Sequence, residues 1–151
     1  RSFMHLDTVM TRVDHDKFAV HSHVMSVSTI YEITDAGKNE LNIKEVKQSL
    51  DKVLEKYLNI DKVTLIKCGN GKRIAAEREQ WSDGVNFVCV RPGVVIGYDR
   101  NFVTNETLKK HGVKVIEIPS CELSRGRGGP HCMSMALIRE DIKWNFMEEI
   151  S

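Results

Sequence analysis

Apolar residues recur along this chain in two rhythms, one of period two and one near 3.6, and their order predicts the elements. Met4 to Val13 reads as a strand, Asp14-His15-Asp16 as a turn, and Lys17 to His21 as the antiparallel partner strand. A further apolar stretch, Val27 to Ile33, is expected to be extended, and Asp35-Ala36-Gly37-Lys38-Asn39 breaks the pattern. From Lys44 to Leu58 the positions Val46, Leu50, Val53, Leu54, Tyr57 and Leu58 fall at helical spacing, with Lys, Gln, Glu and Asp on the other face. Lys62 to Cys68 then has the composition of a buried strand.

The second half follows the same plan. Ile74 to Trp81 reads as a short helix closed by Ser82-Asp83-Gly84, and Val85 to Arg91 as a strand. Pro92-Gly93 turns the chain into a returning strand, Val94 to Asp99. Asn105 to His111 forms a helix ended by Gly112, and Val113 to Ile118 a strand stopped by Pro119. Cys132 to Arg139 is expected to be a last extended segment. The order strand, strand, helix, strand thus occurs around residues 4–68 and again around 85–118. Divergent repeats of this size suggest an α/β array or propeller whose units leave apolar faces for a neighbour. Two units alone would leave sheet edges uncovered. The chain opens on Arg1 and enters a strand almost at once, so a longer parent protein is expected.

Composition narrows the function classes. With 151 residues the chain is long enough for one domain with a sizeable core. A formal net charge of +1 points to neither nucleic acid nor an anionic membrane. No stretch has the apolar length of a membrane span, and no signal peptide is expected. Cys68, Cys89, Cys121 and Cys132 form no CxxC pair and show no zinc-site spacing, which fits a reduced, cytoplasmic protein without a metal.

Candidate chemistry lies at the two ends. Ser124 to Met135 is a basic, glycine-rich loop that carries Cys132 to a loop–strand junction, with Arg125 and Arg127 nearby. Positive surroundings lower a thiol pKa, so Cys132 is the candidate nucleophile. Cys68 and Cys89, inside apolar strands, read as small core hydrophobes, and Cys121 is left open. His5 and Asp7 stand two apart on the predicted strand, hence on one face, and can point into one cavity. His21 and His23 read as solvated, His15 as a turn residue, and His111 as complementing a helix C-terminus. Asn86 is either turn chemistry or a site-facing group. Gly126 to Gly129 lacks the lysine and helix of a phosphate-binding loop.

At these residues the sequence resembles the arginine deiminase family, in the guanidine-modifying superfamily with a pentein-like α/β-propeller fold. The matching stretches are Met4 to Val9 (MHLDTV), Trp81 to Asn86 (WSDGVN), Arg91 to Asn101 (RPGVVIGYDRN) and Glu122 to Met135 (ELSRGRGGPHCMSM). Their order is the family's, and the likeness covers essentially the whole chain. Met10 stands where Phe is expected and Ala136 where Pro is expected, while position 131 is Arg in many relatives and His in others. What is matched is the C-terminal part alone: about two repeats plus the cysteine loop, residues 1–151. The resemblance implies Cys132 as nucleophile, His5 as general acid/base and Asp7 as ligand of the substrate guanidinium. It also implies Arg127 as a substrate contact or gate, with backbone around Gly126 assisting. The implied reaction is hydrolysis of L-arginine to L-citrulline and ammonia, with no cofactor. The N-terminal half, from the same enzyme or a complementing chain, is the implied partner, and oligomeric state stays open. Two alternatives stand beside this: a related guanidine hydrolase or amidinotransferase, and an inactive remnant acting through association.

Overall fold

The computed structural model describes Phe3 and residues 5–138. Strand β1 (Met10–Arg12) pairs antiparallel with β2 (Lys17–Val20), Met10 opposite Val20 and Arg12 opposite Phe18. The tight connection is held by Asp14, which accepts from the His15 backbone N–H at 2.8 Å and from Lys17 Nζ at 2.6 Å. The strand expected over 4–13 is therefore much shorter. Leu6–Thr8 forms a 3-10 turn instead, and Met4 lies outside the described residues. The competing bonds are local: the Thr8 hydroxyl donates to the His5 carbonyl at 2.7 Å, and the Val9 N–H to the Leu6 carbonyl at 3.0 Å. With the alternation lost, His5 and Asp7 do not share a strand face.

Helix α1 (Ser22–Val27) takes the start of the stretch expected to be extended, and strand β3 runs over Ile30–Gly37. It pairs with β4 (Glu40–Val46) around a turn with positive φ at Gly37, Lys38 and Asn39. The helix expected from Lys44 consequently begins only at Leu50, as α2 (Leu50–Leu58). Leu41, Ile43 and Glu45 obey the two-residue period of a strand, while Val46 and Leu50 imitate a helical step. Asn59 ends α2 in the left-handed region. One face of the hairpin carries Tyr31, Ile33, Leu41 and Ile43, all more than half exposed, with Ile33 opposite Ile43.

After α2, strand β5 (Thr64–Lys67) returns to pair parallel with β2, and helix α3 (Arg73–Gln80) follows. The second sheet contains β6 (Val88–Arg91), β7 (Val94–Tyr98) and β8 (Lys114–Ile118), with helix α4 (Phe102–Lys110) as the crossover that a parallel pair needs. The two sheets share one pattern. Their orders are β1-β2-β5 and β6-β7-β8, antiparallel at the first pair and parallel at the second. Val13, Ala19, Ile66, Val85, Phe87, Val95 and Leu108 fuse them through one buried cluster.

The architecture among the described residues is mixed α/β. None of their helices is long and apolar enough to cross a membrane. The final strand expected over Cys132 to Arg139 does not form within 132–138, and Arg139 lies outside the described residues. Turn bonds take its backbone: Met133 N–H donates to the Gly129 carbonyl at 3.3 Å and Ser134 N–H to the His131 carbonyl at 3.0 Å.

Candidate active site

Asn86 joins the two ends of the chain. It stands just before β6, buried in the seam between the sheets, where its Nδ2 donates to the Asp7 carbonyl at 3.1 Å. Its Oδ1 accepts the backbone N–H of Cys132 at 3.1 Å. One amide thus anchors both candidate residues. Gly129 is what permits the approach, because a Cβ there would lie 2.5 Å from Asn86 Oδ1. Asp83, at positive φ, receives the Gly128 N–H at 3.0 Å, and the Tyr98 hydroxyl donates to the Gly128 carbonyl at 3.0 Å. The cysteine loop is therefore held by the stretch before β6 and by the end of β7.

Within this frame the Cys132 sulfur lies 3.8 Å from Asp7 Oδ2. The same oxygen meets His131 Nδ1 at 2.7 Å. The described structure thus gathers Asp7, Cys132 and His131, with Asn86 behind them and Asp83 acting electrostatically on Cys132. His5 is exposed, and no hydrogen bond or ion pair among the described residues joins its side chain to Asp7 or Cys132. Arg127, at φ 60°, places its guanidinium 4.6 Å from the Trp81 ring centroid, on the exposed side of the loop. Gly126 is exposed with open space around it, and the close backbone approach in this loop occurs at Gly129.

The electrostatics reverse the expected activation of the thiol. Burial first raises the Cys132 pKa, the charges of Asp7 and Asp83 raise it further, and hydrogen bonds involving Gly129 and Asn86 offset only part. Arg125 pairs with Glu122 at 3.0 Å and Arg127 lies over Trp81, and the charges that act on the sulfur are those of Asp7 and Asp83. Asp7 is also partly buried, which alone would raise its carboxyl. Hydrogen bonds from His131 and Asn86, and the His131 charge, outweigh this and hold it below the usual value. Asp83 is pushed up by burial and by Asp7, against the Gly128 bond and Arg127. The free site is an anionic pocket around a protonated thiol, an arrangement that favours a cationic ligand.

The other thiols lie elsewhere. All four cysteines are free. Cys68 is buried, and desolvation carries its pKa to about 11, as expected of an inert core residue. Cys89, expected inside the core, is exposed because β6 is an edge strand, and Cys121 is exposed as well. His21 is buried against Phe3 rather than solvated. Among the described residues no group of three or more His, Cys, Asp or Glu could hold a metal ion.

Comparison with known proteins bears on the same residues. A family model for arginine deiminase matches residues 1–139. An arginine deiminase of Treponema denticola is 56% identical over 144 residues, covering 95% of this chain and 35% of the relative. Similar enzymes of Clostridium perfringens and Latilactobacillus sakei subsp. sakei are 53% and 51% identical, each covering 94% of this chain and 35% of its own length. The chain spans about a third of the curated relatives it matches, and over that span it belongs to the arginine deiminase family.

Proposed function

We propose that this chain carries the nucleophile and a substrate-binding carboxylate of an arginine deiminase, which hydrolyses L-arginine to L-citrulline and ammonia. The observation that carries the reading is the 3.8 Å separation of the Cys132 sulfur from Asp7 Oδ2, with both residues held by Asn86. A guanidinium is planar, cationic and resonance-stabilised, and a carboxylate such as Asp7 matches its N–H edge in two-point contact. The bound cation also supplies the positive charge that the free pocket lacks, which lowers the thiol pKa at the moment of need.

The steps then balance. The thiolate of Cys132 attacks the guanidinium carbon and forms a C–S bond, giving a tetrahedral adduct. One C–N bond breaks, and the departing nitrogen takes a proton and leaves as ammonia. Water, losing a proton to a base, attacks the remaining thiouronium carbon, and the C–S bond breaks to release citrulline and the thiolate. His5 is assigned the proton transfers by family likeness. Arg127 and the Gly126 backbone are assigned to substrate contact on the same ground. The four free thiols support a reducing, cytoplasmic setting.

The rest of the cation's cage is assigned to the family's remaining length, joined to this chain or supplied as a complementing polypeptide. The shared pattern of the two sheets supports reading this span as two units of a propeller plus the cysteine loop. The test is to co-purify this chain with the N-terminal part of the Treponema denticola relative and to measure the ureido product formed from arginine, methylated arginine and agmatine, which is citrulline in the case of arginine. Citrulline from arginine is expected, absent in Cys132→Ser. Asp7→Asn should lower kcat/KM at least about a hundredfold, the scale of an unpaired buried charge. A folded complex that forms no citrulline sinks the reading.

A further inference from the structure

We propose that His131 is a positioning residue that occupies the cation seat of Asp7 in the free protein and must be displaced by the incoming guanidinium. The inference rests on the reading of Asp7 as the guanidinium ligand. Its basis is that two groups converge on one oxygen: Asp7 Oδ2 meets the imidazole Nδ1 at 2.7 Å and faces the Cys132 sulfur at 3.8 Å. The carboxylate oxygen nearest the sulfur, where a substrate N–H must lie for its central carbon to be attacked, is already engaged by the imidazole. A flat ring that offers N–H to a carboxylate oxygen resembles one edge of a guanidinium.

The geometry allows the exchange. His131 keeps 46% of its side-chain area exposed, so the ring is not locked by packing. A groove of about 830 Å³ opens beside it, lined by Arg12, Val88, Met135 and Ile138 among others, into which the ring can turn. Turning it leaves the nucleophile where it is. Cys132 is held through its own N–H by Asn86, and the next N–H by the Gly129 carbonyl at 3.3 Å. His131 accordingly keeps Asp7 aimed while the site is empty and sets a threshold against weak cations. A ligand must offer two-point contact to win the carboxylate.

The test compares two small alkylating probes of nearly the same shape, cationic 2-chloroacetamidine and neutral 2-chloroacetamide, at Cys132 of the intact chain by peptide-resolved mass spectrometry. Both react by one step: the thiolate sulfur donates its electron pair to the methylene carbon, a C–S bond forms and chloride leaves. The ratio of the two rates therefore cancels the thiolate fraction and reports the preference for a cation. In His131→Ala and His131→Leu the ratio is expected to rise about fivefold, the scale of releasing one exposed ion pair. In Asp7→Asn it should fall to that of a small free thiol. A ratio unchanged in both His131 variants, while Asp7→Asn still lowers it, overturns the proposal and leaves the role of Asp7 intact. A ratio insensitive to Asp7→Asn removes the role of Asp7 and this inference together. A circular-dichroism spectrum and a urea midpoint matching those of the parent chain verify that the His131 variants are folded.

Discussion

Cys132 sits among carboxylates, and the consequence can be measured without turnover. Asp83 is one of two charges that hold the thiol up, after burial. Asp83→Asn removes that charge, and asparagine keeps an oxygen able to accept the Gly128 N–H and tolerates the positive φ of the position. The pH profile of Cys132 alkylation should therefore move to lower pH, with exposed Cys89 and Cys121 as unshifted references in the same digest. An unmoved or upward-moving profile would refute the electrostatic account. At this scale the strand alternation expected to turn Asp7 and His5 into one cavity does not form. Asp7 and Cys132 do meet, but through Asn86 and a 3-10 turn, since local threonine bonding defeats the strand alternation at residues 5–8. The arginines of the loop were legible as charge but not as charge already engaged. No spacing in the chain announces that residue 131 turns back onto residue 7.

Helix α4 shows what element-level reading misses. Asn101 stands at its N-cap but makes no side-chain capping bond. The cap comes from Glu79 of α3, whose buried carboxylate accepts from the N–H groups of Val103 at 2.8 Å and Thr104 at 2.9 Å, and from the Thr104 hydroxyl. The Thr104 hydroxyl oxygen in turn accepts from the Gly69 N–H at 2.8 Å, which ties both helices to the end of β5. Glu79→Gln keeps the size but removes one acceptor oxygen and the charge at a positive helix end. The expected loss is about 2–3 kcal/mol, from an unsatisfied donor and a weakened dipole interaction, read by urea denaturation. A change below about 0.5 kcal/mol, the level of an ordinary surface substitution, would show that the carboxylate is not what holds α4. Helices α2, α3 and α4 were legible, and so were most strands of the two larger sheets, whereas α1 was not, because His21 and His23 read as solvated. Strand β3 was expected over its first residues only and β4 was not expected, because their apolar residues face outward and the run from Lys44 imitates a helical step.

Two similarly ordered three-stranded sheets share the core of the described residues, and the response to acid should begin beside that core rather than at the site. His21 follows β2, with its backbone N–H bonded to the Val9 carbonyl at 2.9 Å and its ring against Phe3. Among the described residues neither ring nitrogen has a hydrogen-bond partner. Burial, then the His23 charge, hold its pKa below the ordinary value, with Glu77 opposing weakly. The sign follows from proton counts. Near pH 6.5 and below, the unfolded chain binds a proton at this position that the folded chain resists, so stability falls as pH drops through the unfolded value. Asp7, whose pKa is lowered, withdraws its contribution only at more acid pH, below the ordinary carboxylate range. Urea midpoints should therefore decline between about pH 7.5 and 5.5, a window set by the unfolded histidine value. His21→Leu should flatten that decline at no cost at pH 7.5, because leucine keeps apolar contact with Phe3 and leaves no unpartnered nitrogen. An equally steep decline in the leucine variant would place the acid-sensitive group elsewhere in the molecule.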